Sequence, residues 1–143
     1  MQLNPYENAR LKCANRMDQE LQNLINQGCG VDALLWGVNM AFAELVRRGD
    51  GGDDAVVDGM MMFSRLDRTQ RDQAQACQQY VNGVNAALSK EGFDPDAIMW
   101  SLIGVISEVS RGLGMSQDEV KTVRDNMTRL LSRTNYPTSW PES

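Results

Sequence analysis

Slid against itself by 64 positions without a gap, the first half of the chain comes into register with the second, which limits the fold to architectures assembled from two like units. Cys13 falls on Cys77, Leu24 on Leu88, Gly28 on Gly92, Asp32 on Asp96, Ala33 on Ala97, Trp36 on Trp100, Glu44 on Glu108 and Arg47 on Arg111. Downstream, Asp54 meets Asp118, Val56 meets Val120, and Arg65-Leu66 meets Arg129-Leu130. Leu34/Ile98, Val38/Leu102, Leu45/Val109 and Phe63/Met127 are conservative matches in the same register. The reading is a tandem duplication within a single domain spanning residues 1–143, with repeats over 4–67 and 68–134 and a proline and aromatic tail over 135–143.

Apolar residues recur at intervals of three and four and no segment alternates like a strand, so each repeat reads as three helices. The class is all-α: one compact bundle of about six helices, its two three-helix repeats related by a pseudo-two-fold. The first helix opens at Asn4 with Pro5 at its first position, follows Cys13, Met17, Leu21 and Leu24, and stops at Gly28. A break near Asp67–Thr69 precedes its counterpart, which begins near Thr69, where Thr69 and Asp72 make only a weak capping box, and stops at Gly92. The middle helices, 31–48 and 95–111, are apolar nearly all round and belong in the centre. A row of small residues, Ala33, Gly37 and Ala41, matched by Ala97, Ser101 and Val105, predicts close approach of these two helices to each other. Ser116-Gln117-Asp118-Glu119 is a capping box for the last helix.

Composition excludes several functions. Histidine is absent, removing the commonest general base and metal ligand. A net charge of −5, with five basic against nine acidic side chains in residues 1–64, argues against an unselective nucleic-acid binder, so the basic residues at 65, 68, 71, 121, 124, 129 and 133 read as a solvated face. Three scattered cysteines do not make a disulfide scaffold, and Cys13 and Cys77 read as core thiols. With no export signal and no apolar run near the ~20 residues of a membrane span, a cytoplasmic protein without membrane contact is expected.

The acidic loop 50–54 lacks the ligand spacing of a calcium loop and reads as a turn with a carboxylate cap. Glu44 and Glu108, each three residues before an arginine (Arg47, Arg111), read as repeated surface ion pairs. All-α nucleotide pyrophosphatases hold magnesium with acids paired three apart on one helix and a second such set, and neither set is present. No catalytic constellation, cofactor motif or metal set emerges; the expectation is a protein that is not an enzyme and has no cofactor.

The informative feature is a disagreement between the repeats. Val57, Met61 and Met62 are apolar where Lys121, Asp125 and Asn126 stand in the second repeat. If the repeats share a fold these positions face solvent, and an apolar patch there needs a reason: extra core made by a different angle between the repeats, or a homodimer seam, a protein partner or a place for the tail to pack. The function expected is therefore a non-enzymatic helical interaction protein, an adaptor or inhibitor that binds a macromolecular partner or a second copy of itself. In size and charge it is similar to small acidic helical proteins with which phages and mobile elements inhibit host factors, a likeness no motif carries. The alternative is a small-molecule binding or sequestering protein, with a pocket at the pseudo-two-fold or a dimer interface lined by Trp36, Asn39, Arg47, Trp100 and Arg111.

Overall fold

A computed structural model describes residues 5–136, so Asn4, read above as the start of the first helix, and residues 137–143 of the proline and aromatic tail lie outside that range. The chain forms six α-helices: α1 (Pro5–Asn26), α2 (Val31–Arg48), α3 (Asp54–Phe63), α4 (Arg68–Lys90), α5 (Pro95–Gly112) and α6 (Gln117–Ser132). Among the described residues there is no strand.

Helix ends follow from local chemistry. Gly28 and Gly92 adopt φ of +93° and +96°, a conformation that costs L side chains about 1–2 kcal/mol. That turn lets Cys29 and Phe93 donate their backbone N–H groups to the carbonyls of Leu24 and Leu88 at 3.1 and 3.2 Å, closing both helices. At the start of α6, Ser116 and Glu119 form the reciprocal box expected of them. α4 starts within the break expected at 67–69, but its cap is Asp67, boxed with Gln70, and not Thr69. A carboxylate accepts the first free N–H groups more strongly than a hydroxyl, and Gln70 reaches back to the Asp67 N–H at 3.0 Å where Asp72 is one atom shorter.

Helices α2 and α5 form the centre, each with ten of eighteen residues buried. They touch each other, but the longest contacts run elsewhere: α4 lies along α2, and α1 lies along α5. α3 covers α2 and α6 covers α5. Cys13, Met17, Leu21 and Leu24 of α1 enter one core with Leu34, Val38, Phe42 and Val46 of α2, Val81 and Leu88 of α4, and Ile98, Leu102 and Ile106 of α5. Burying each such aliphatic side chain contributes roughly 1.5–3 kcal/mol.

The small-residue row does not serve the α2–α5 contact. A Cβ built on Gly37 would stand 2.7 Å from Cys77 Cβ and 2.9 Å from the Gln78 backbone nitrogen, and Ala33 packs with Ala74. The row admits α4, the helix that presses closest on α2. Across the outside, the Arg16 guanidinium spans both Glu91 carboxylate oxygens at 3.0 and 2.9 Å, and Tyr80 donates to Glu20, so α1 and α4 are tied at the surface.

Candidate functional site

α3 is the least buried helix. Its only buried residue is Gly59, whereas α6 buries Val120, Met127 and Leu130. The inner face of α3 is nonetheless firmly placed. The Trp36 indole N–H donates to the Gly59 carbonyl at 2.7 Å in a buried position, and the Trp36 and Phe63 ring centroids stand 4.7 Å apart. Arg71 of α4 donates to the Phe63 and Ser64 carbonyls at 3.2 and 3.0 Å and lays its guanidinium 5.4 Å from the Phe63 ring centre, so the C-terminal end of α3 is closed by the next helix. At the other end Arg133 reaches Asp54 at 3.2 Å, Asn135 donates to the Asp50 carboxylate at 2.8 Å, and Tyr136 donates to the Leu45 carbonyl at 2.7 Å.

With the inner face fixed, the outer face carries apolar side chains into solvent. Val57 is 55% exposed, Met60 64%, Met61 58% and Met62 36%. These four stand within six consecutive residues, while Leu11 and Leu113, also exposed, stand alone in sequence. Scattered exposed aliphatics are ordinary on a protein surface, but a contiguous set on one short helix is not. On α6, Lys121, Arg124, Asp125 and Asn126 are all exposed and polar. The structure thus brings Val57 and Met61 to the outer surface of α3, sets Met62 on the flank where it also lines a cavity with α6, and adds to the outer set Met60. Its mate at offset 64 is Arg124, so comparing the repeats one position further would have found it.

The residues of the alternative pocket are not brought together. Trp36 is buried among α2, α3 and α4. Asn39 lines a cavity of about 300 Å³ between α2, α3, α5 and α6, together with Phe42, Asp58, Met62, Ile106 and Met127. Arg47 is exposed and pairs with Asp53 at 3.4 Å. Trp100 lies under the Arg10 guanidinium, 4.5 Å from the ring centre, in a groove of about 330 Å³ that also includes Asp96 and Tyr136. Arg111 borders a shallow groove with Lys121 and Arg124.

The ion pair read at Glu44 is also redistributed: its carboxylate meets Arg48 at 3.3 Å, one helical turn on, because Arg47 turns to the acidic loop. The thiols of Cys13 and Cys77 are pushed up to about 12, both chiefly by burial, and that of Cys77 also by its hydrogen bond with Cys29. At neutral pH they are protonated, poor nucleophiles. Among the described residues no group of three or more Cys, Asp or Glu side chains converges as a metal site. Among the described residues no helix is long and apolar enough to cross a membrane. In comparisons with known proteins, the chain matches no family model, no curated protein and no solved structure.

Proposed function

We propose that this chain is a non-enzymatic interaction protein, an adaptor or inhibitor, whose contact face is the outer surface of α3. The observation that carries the reading is the exposure of Val57, Met60 and Met61, each more than half open to solvent on a helix whose inner face is pinned by Trp36 and Phe63. Methionine suits such a face because its unbranched, polarisable side chain adapts to the surface it meets. The test is affinity capture with the wild-type chain and with the Val57→Lys, Met61→Asp, Met62→Asn variant, which carries the side chains of the second repeat. The wild type is expected to retain a stoichiometric partner that the folded variant loses; a folded variant that keeps both partner and oligomeric state overturns the reading.

The asymmetry argument rests on duplication of a three-helix unit, which we also infer. In its support, α2 and α5 begin 64 residues apart at Val31 and Pro95, and of the five described residues with positive φ four form two pairs at that offset, Gly28 with Gly92 and Asp50 with Gly114, while Gly52 has no mate. The main packings also answer each other on exchanging the halves, α1 on α5 for α4 on α2 and α3 on α2 for α6 on α5, although α4 also touches α5 where α1 makes no comparable contact with α2. Six of the fourteen residues lining the cavity of about 300 Å³ form three pairs at that offset, Phe42/Ile106, Gly59/Val123 and Met62/Asn126, which supports a pseudo-two-fold close to it.

That cavity favours a second reading, a small-molecule binding protein. Its wall is mostly apolar, with Asn39, Asp58, Ser110 and Asn126 as polar groups. A ligand that raised the melting temperature by several degrees, and failed to do so after Asn39→Leu, would favour it.

A further inference from the structure

The charges bordering the α3 patch say what kind of surface it fits. The chain continues in helical turns past Phe63, with Ser64, Arg65 and Leu66 donating to the carbonyls of Met60, Met62 and Phe63 at 3.2, 3.1 and 3.1 Å. Asp58, Met61, Met62 and Arg65 therefore follow one another at i, i+3, i+4 and i+7 along a single face. Asp54 precedes that stripe and Arg68 follows it. Its acidic end is at the N-terminus, its apolar part in the middle and its basic end at the C-terminus. All of these charged residues are exposed, and no ion pair among the described residues uses Asp58, Arg65 or Arg68.

A stripe so ordered is complementary to itself. Turned about a two-fold through Met61, a second copy lays methionine on methionine and brings its Arg65 to Asp58, and the same pair forms at the other end, while Asp54 keeps its pair with Arg133 of its own chain. Such an isologous contact is the commonest way for one surface to satisfy itself. Two chains of net charge −5 repel at long range, so association needs a place where the local charges alternate, and this stripe is such a place. Resting on the reading of α3 as a contact face, we propose that its partner is a second copy of this chain, docked antiparallel through α3. A helix of ten residues is small against the roughly 1,200 Å² that stable complexes bury, so the dimer is reversible, with a dissociation constant on the order of 10 µM.

A charge exchange tests this. Sedimentation equilibrium of the full chain between about 1 and 200 µM, spanning that dissociation constant, is expected to show monomer passing to dimer. Asp58→Arg alone and Arg65→Asp alone each set like charges across the two-fold and should weaken the dimer about ten-fold or more. The double variant, with the charges exchanged, should recover affinity to within about three-fold of wild type, because the pairs re-form in reverse. These substitutions are exposed, and circular dichroism of each variant confirms its fold. A wild type that stays monomeric throughout, or a dimer indifferent to the single changes, or a double variant no better than either single one, overturns the assignment. If the chain is monomeric yet the apolar triple variant still loses a captured partner, the contact face stands and only the second copy is wrong.

Discussion

Asn85 sits on α4 with 6% of its surface exposed, and neither its Oδ1 nor its Nδ2 has a hydrogen-bond partner. A buried amide left unpaired costs about 1–3 kcal/mol. Leucine stands at the matching position of α1, at residue 21, and is buried there. Asn85→Leu is therefore expected to raise stability by about 1–2 kcal/mol in guanidinium unfolding, offset in part by the larger side chain's fit. The buried thiols make a second expectation, with a definite sign. Because folding holds Cys13 and Cys77 up to about 12, the unfolded chain, with an ordinary value near 9.0, releases those protons first as pH rises. Their contribution is fully present below about pH 9 and is lost progressively above it, towards pH 12. Between pH 8 and pH 10.5 the unfolding midpoint should thus fall by more in the wild type than in a Cys13→Ala, Cys77→Ala variant, whereas an equal fall would show that the thiols titrate as if exposed.

The middle helices were legible in the sequence to the residue at their starts, because proline, glycine and a continuous apolar run act locally on Val31–Arg48 and Pro95–Gly112. What the sequence could not convey was which neighbour each face meets. Helical spacing puts Ala33, Gly37 and Ala41 in a row, but a row has no address, and the helix that enters it is α4, not α5. The same limit holds for Arg47, whose choice of Asp53 over Glu44 depends on a loop path that no periodicity encodes. The cap of α4 was missed for a different reason, two candidate boxes standing two residues apart. Gly37 gives the packing account its test. Gly37→Val forces Cys77 and the Gln78 backbone away and is expected to cost about 1–3 kcal/mol, while Gly83→Val, open on all sides on α4, should cost far less. Equal costs in thermal or chemical unfolding would mean that α2 and α4 are not in close contact.

Taken whole, the molecule hides the middle helix of each half under the long helix of the other, so that its core is shared between the halves and its outer helices are free to differ. α6 is a polar cover with three buried residues, and α3 has one buried residue and an apolar exterior. The apolar patch was legible as a difference between segments 64 residues apart; the cavity beside it was not, since it exists only where four helices converge. The account stands or falls on whether Val57, Met61 and Met62 serve contact and not stability. The most direct measurement is the unfolding free energy of the Val57→Lys, Met61→Asp, Met62→Asn variant and of the wild type, both near 1 µM, roughly ten-fold below the dissociation constant inferred above, where association adds little. Exposed substitutions predict agreement within about 1 kcal/mol. A loss of about 3 kcal/mol or more, the range for disrupting buried side chains, would contradict the account and return those residues to the core.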